Sequence, residues 1–226
     1  RIKIRRILRG ILSKENVSEQ VTRKSFIRFY LPLAITPLAS LLIHPVGSAG
    51  MSRMPEALPS LAAWPVVYGL VFITRSLGFA FNEVVVALLP HPNGKLELLR
   101  FTRILAISTS AFLGVLALTP IGGYWFLYVA GLSEELAYIS SITLVFAILM
   151  PGYQAYQAWY SGLLVNKNQT NGISFAVLIY AIIAIIGLWL GTRLATFPGI
   201  YWAVNVFVFA GLSQTLYLRY SYKRIG

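Results

Sequence analysis

The sequence predicts an all-α polytopic membrane protein, six transmembrane helices forming one bundle, and three observations carry that reading. Apolar residues make up 57% of the chain and charged residues only 12%, with a mean hydropathy of +0.70, whereas a soluble domain carries about 25% charged residues. Six runs are long and apolar enough to cross the roughly 30 Å hydrocarbon core of a bilayer as helices: residues 26–46, 64–89, 101–121, 136–164, 173–194 and 200–220. The basic residues collect beside these runs or at their ends, and Arg75 alone lies near the middle of one.

The same composition excludes several function classes. There is no cysteine, so disulfides, thiolate-bound zinc and thiol catalysis are ruled out. The two histidines, His44 and His91, lie far apart and the seven carboxylates are scattered, so neither a protein-held metal nor a cofactor is expected. A net charge of +12 would point to nucleic acid in a soluble chain, but beside apolar runs it is a topology signal, and no nucleic-acid partner is expected. Paired intramembrane carboxylates, a histidine cluster and a glycine-rich phosphate loop are all missing from the sequence, which reads against an enzyme.

Residues 1–25 form a basic lead-in. Nine basic residues stand against Glu15 and Glu19 over residues 1–28, interleaved early with Ile2, Ile4, Ile7, Leu8, Ile11 and Leu12. That pattern fits either an amphipathic helix on an anionic membrane surface or a solvated linker. A start at Arg1 on such a stretch reads as a portion of a longer protein. The transmembrane bundle is expected over residues 26–222, with a cytoplasmic tail at 223–226.

The first run, 26–46, contains Pro32, Pro37 and Pro45, which bend a helix where a carbonyl loses its donor. Neighbouring helices can satisfy the freed groups, so the bend serves either a moving bundle or a static one. His44, at its outer end, reads as a packed or interfacial side chain, and residues 47–60 read as a loop.

The second run, 64–89, spans about 39 Å as a helix and holds Arg75 near its middle. An unpaired guanidinium at that depth costs from about 2.5 kcal/mol to well over 10 kcal/mol, depending on the reference. Tyr68, Arg75 and Asn82 recur at intervals of seven, so they share a narrow stripe with Gly78 and Phe79 beside them. The stripe is expected to face protein or water.

Pro90, Pro92 and Gly94 punctuate a turn-rich connection carrying Lys95, Arg100 and Arg103. After the third run, Gly122 and Gly123 precede the aromatic cluster Tyr124, Trp125, Phe126 and Tyr128, which fits a membrane interface. In the fourth run Pro151 and Gly152 are expected to interrupt the helix, and Tyr153, Tyr156, Gln157 and Tyr160 return on one face. Lys167 marks a tight polar turn. The fifth run is almost pure hydrocarbon and is expected to face lipid, and the sixth holds Tyr201, Trp202, Asn205, Ser213 and Gln214.

Charge sets the expected orientation. With both termini cytoplasmic, sixteen basic residues lie inside and only Arg53 and Arg193 outside, which the positive-inside bias favours strongly. The expected location is the plasma (inner) membrane.

The chemistry-bearing residues read as a cavity lining. Arg75, Tyr68 and Asn82 on one helix, Tyr153 and Gln157 on another (with Gln154 and Ser161 beside them) and Asn205 on a third are the candidate substrate-binding set. An intramembrane arginine is a functional-site hypothesis by default, since its fork takes carboxylate or phosphate oxygens bidentately. The structural alternative is an ion pair. Glu83 lies eight residues on, about 80° round and 12 Å along the helix, so such a partner has to come from elsewhere. The tyrosines and glutamines can equally serve as polar glue between helices.

FYLPLAITPLASLL, QAYQAWYSGLLVNKNQTNG and FPGIYWAVNVFVFAGLSQTLYLRY, together with the six-run layout, give a pattern that resembles one six-helix half of the multidrug/oligosaccharidyl-lipid/polysaccharide exporter superfamily, whose members include multidrug-and-toxin-extrusion antiporters, polysaccharide flippases and ankylosis-type proteins. The basic lead-in resembles the linker between two halves, which would make this the C-terminal one. The resemblance implies alternating access around a central cavity, with the other half and the lipid bilayer as partners. Apart from Glu83, no carboxylate sits like a cation-coupling acid, so the likeness favours an anionic small molecule or lipid-linked substrate. The rival reading is a non-transporting membrane scaffold or partner subunit, with Arg75 paired to another chain.

Overall fold

The computed structural model describes residues 43–225. The basic lead-in and most of the first run, with Pro32 and Pro37, lie outside the described residues. What is described begins in a helical segment at 43–51. There follow α1 (Ala57–Leu88), α2 (Gly94–Leu118), the five-residue α3 (Pro120–Tyr124), a π-turn (Trp125–Val129), α4 (Glu134–Ala147), α5 (Leu149–Asn166), α6 (Asn171–Leu194) and α7 (Gly199–Ile225). No strand occurs among the described residues.

Five stretches among them are long and apolar enough to cross a membrane, with α4 and α5 together forming one. Ile104, Ile107, Phe112, Ile182, Ile185 and Trp189 are among the exposed large apolar side chains, a surface suited to lipid. The α6 helix is the least buried of the five, as its uniform hydrocarbon implies. Thr102, Thr109, Thr143 and Thr215 donate to carbonyls one turn back, which satisfies their hydroxyls where water is scarce.

Three boundaries differ from expectation. The α2 helix starts at Gly94, so Lys95, Arg100 and Arg103 lie on a helix and not in a connection. Asn93, at φ 63°, makes the left-handed turn that lets the helix begin directly after Pro92. The α1 helix likewise begins at Ala57, behind Glu56 at φ 51°. The expected loop 47–60 is thereby reduced to a short turn. The aromatic stretch after α2 is helical too: Phe126 is wholly buried in the π-turn, while Tyr124 and Tyr128 stack on the exposed side.

The interruption in the fourth run falls at Ile148, between α4 and α5. Pro151 has no N–H to give the carbonyl four residues earlier, and that residue is Ala147, the last of α4. The break therefore sits one turn ahead of the proline that causes it.

The α5 helix is the hub, packed against α1, α2 and α7, with α6 set against α7. Two glycines let α1 and α5 approach closely. A Cβ on Gly78 would lie 2.7 Å from Gln154 Cγ and 3.2 Å from its carbonyl carbon, and one on Gly162 would lie 2.8 Å from Val85 Cβ. At the far end Gly199 N donates to Pro55 O at 3.0 Å and Ile200 N to Ser60 Oγ at 3.2 Å. Those bonds tie the start of α7 to the start of α1.

Candidate functional site

Along α1, Trp64, Tyr68, Val71, Arg75, Gly78, Phe79 and Asn82 line one cleft, a stripe at the spacing that brings residues onto one helix face. Along α5 the matching stripe is Gln154, Gln157, Ala158, Ser161 and Val165, with Val204, Phe207 and Gln214 of α7 and Ile173, Val177 and Tyr180 of α6 completing the walls. The cleft holds about 380 Å³, within the roughly 300–1,000 Å³ of small-molecule sites.

Arg75 lies about 27 Å along α1 from Ala57 and about 20 Å from Leu88 at 1.5 Å per residue, deep within the span. Its Nη2 donates to Gln154 Oε1 at 2.7 Å, across the close approach that Gly78 permits. The guanidinium carbon stands 5.6 Å from the Phe79 ring centroid and 5.8 Å from that of Tyr153, so two aromatic rings share in holding the cation. Its Nε is buried and has no acceptor. No carboxylate lines the cleft among the described residues, and Glu83 is exposed. The guanidinium is oriented by a neutral carboxamide, and its charge is left standing.

Asn82 is half-buried, with an Oδ1 that is enclosed and has no donor. Such groups are rare in folded proteins and usually carry a function or await a partner. Tyr68 stacks edge-on to His44 at 3.8 Å between centroids and lies 5.5 Å from Trp64, which in turn packs 5.6 Å from Phe207. One end of the cleft is therefore walled by aromatic rings.

The other sequence-predicted residues divide. Gln157 lines the cleft, yet its Nε2 donates toward Gly211 O at 3.0 Å and toward Gln214 Oε1 and Thr215 Oγ1 at 3.2 Å each. Its main work is to fasten α5 to α7. Tyr153 is buried behind the cleft, under Arg75, with its hydroxyl 3.5 Å from Phe207 O. Gly211 makes room for that ring, which an added Cβ would strike. Asn205 is not at this site. It is exposed, donates to Tyr201 O one turn back at 2.9 Å, and borders a separate apolar groove between α6 and α7.

His44, read from sequence as a packed side chain, lines the cleft as well. Gln154 proves to be the one direct hydrogen-bond partner of Arg75 among the described residues. Its spacing from Gln157 and Ser161 along α5 carries that signal, because three polar residues at i, i+3 and i+7 in an apolar helix share a face.

Lys95 at the start of α2 and Lys167 at the end of α5 both stand over the Tyr222 ring of α7, at 5.6 Å and 5.0 Å. This fixes three helix ends together at the basic rim of the bundle. Among the described residues no three histidine or acidic side chains converge as a metal site would require. Comparison with protein families, with curated proteins and with solved structures finds no match for this chain.

Proposed function

We propose that this chain is one half of an alternating-access membrane transporter or flippase that moves an anionic or lipid-linked substrate, with Arg75 as the anion contact. The observation that carries this reading is a charged guanidinium deep in a membrane-length helix, lining an open cleft with no carboxylate beside it among the described residues. A half-buried cation left unneutralised at mid-span is costly, and an anion supplied by the substrate offsets that cost. Tyr68 and Asn82 border the same route.

The charge distribution supports an orientation with the termini cytoplasmic. Lys95, Arg100, Arg103, Lys167, Arg219, Lys223 and Arg224 belong to the end where α2 and α6 begin and α7 finishes, whereas Arg53 and Arg193 belong to the other. Such asymmetry orients helices with the basic end inward. A scaffold in which Arg75 pairs with a carboxylate of another chain needs that carboxylate delivered to mid-span by a segment that fills the cleft. The resemblance to exporter halves agrees with the transport reading.

The test is uptake of phosphate, citrate and an aryl sulfonate by proteoliposomes containing the intact protein. Uptake of at least one anion is expected, falling more than about tenfold in Arg75→Gln and Arg75→Ala, as removal of a buried charge–charge contact implies. Unchanged uptake of every transported anion in folded Arg75 variants would contradict the proposal.

A further inference from the structure

Three features of the cleft restrict what it can hold. The first is charge. Arg75 is the one permanently charged side chain lining it among the described residues. A single negative charge is balanced there. A second has no permanently charged partner there and meets a penalty of several kcal/mol wherever binding strips it of water.

The second feature is Gln154. Its Oε1 takes one N–H of the guanidinium at 2.7 Å, which fixes the orientation of the fork, and a carboxamide does this without cancelling the charge. A glutamate of the same shape would form an ion pair and neutralise the site. Gln154 is itself buried at 6% exposure and pressed against Gly78, so its position is set by the α1–α5 crossing and not by chance rotamers.

The third feature is the wall. From Arg75 back to Trp64 is about 16 Å of helix, and the facing side chains along it include Val71, with Phe207 across the cleft. That surface is mostly aromatic and aliphatic, which suits an apolar body, and beside the neutral polar groups of Tyr68 and His44 it holds no second permanent charge.

We infer that the cleft binds an amphiphilic monoanion, one sulfonate, carboxylate or phosphodiester head on an apolar body. Gln154 is the specificity-determining residue that orients the Arg75 fork toward that head and leaves its charge uncompensated. This rests on the anion reading of Arg75 given above. Small polyanions are excluded by the lone cation, and neutral amphiphiles gain nothing from it.

The test is equilibrium dialysis on the intact protein in lipid nanodiscs, with binding to empty discs subtracted. The probes are naphthalene-2-sulfonate, naphthalene-2,6-disulfonate, the neutral 2-naphthalenemethanol and inorganic phosphate. The monosulfonate is expected to bind at least about tenfold more tightly than the other three, a difference of about 1.4 kcal/mol. In Gln154→Glu the ratio of monosulfonate to alcohol affinity is expected to collapse by a similar factor, and Gln154→Leu to lower it less. A purely structural role would weaken all probes together. Disulfonate or phosphate binding as tightly as the monosulfonate, with Arg75→Gln abolishing both, would overturn the monoanion assignment and leave Arg75 as an anion contact. An unchanged ratio in Gln154→Glu would overturn the role of Gln154. Equal anion binding by wild type and Arg75→Gln would overturn the anion reading itself. If Arg75→Gln does not fold, Arg75→Lys serves: it keeps the charge and is expected to keep the preference for one negative charge over none.

Discussion

Replacing Gly162 by alanine tests the seam that positions the site. The new methyl would lie 2.8 Å from Val85 Cβ and closer still to Cγ1, and Val85 is fully buried, so α1 and α5 must part by some tenths of an ångström. Overpacking of this kind costs about 1–3 kcal/mol, while alanine regains up to about 1 kcal/mol of helix propensity over glycine. A net loss of about 1–2 kcal/mol is expected for Gly162→Ala. Val85→Ala alone vacates the space of two methyls and should cost about 1–3 kcal/mol.

In the double variant the added methyl occupies the vacated space. The combined loss is then expected to fall short of the sum by about 1–2 kcal/mol, within the range for contacting residues. The assay is a double-mutant cycle by denaturation in mixed micelles, followed by tryptophan emission. Anion binding should track it, because the same crossing carries Gly78 against Gln154: weakened in Gly162→Ala and recovered in the double variant. Additivity within about 0.5 kcal/mol would refute the close contact between Gly162 and Val85 as the seam's determinant.

Three further outcomes follow from named contacts. Gln157→Leu removes the link to Gly211, Gln214 and Thr215 and should lower stability by about 0.6–2 kcal/mol in the same denaturation assay, the scale of interhelical hydrogen bonds in membranes. Tyr222→Ala should lose about 1–2 kcal/mol from the two ammonium–ring contacts at the basic rim, while Tyr222→Phe, which keeps the ring, should lose little; equal losses in both would place the effect in the hydroxyl. Asn205→Ala should leave anion binding unchanged by dialysis, since Asn205 borders the other groove; a large loss would mean that the two grooves act as one.

Periodicity made much of this site legible in the sequence. Tyr68, Arg75 and Asn82 recur every seven residues in a run that helical structure was certain to claim, and all three line one cleft. Asn205 was misplaced because its residue type was weighed ahead of its phase. The buried positions of α7 around it are Ala203, Val204, Phe207 and Ala210, and a residue one step past Val204 turns about 100° away from that face. The same phasing would have placed it outside.

Helix starts were less legible than helix bodies. Glu56 and Asn93 adopt left-handed conformations that stop one element and let the next begin at once; asparagine is enriched there, but glutamate gives no such signal. The break at Ile148 was visible through Pro151, displaced by the one turn that separates a proline from the carbonyl it abandons. The Arg75–Gln154 bond depends on which α5 residue meets Gly78, a matter of helix register that no single helix contains. Six helices with a proline-bent first one remains the expectation from sequence, five spans being described.

The most direct measurement is water accessibility at position 75. Arg75→Cys places a single thiol in a chain without other cysteines, to be labelled in the intact protein by a membrane-impermeant reagent applied from either side. The expected result is labelling whose side changes when an ion gradient is imposed, as a gated mid-membrane cleft requires. Absence of labelling from both sides, in protein shown to be folded, would contradict the transport reading and return Arg75 to a buried structural role.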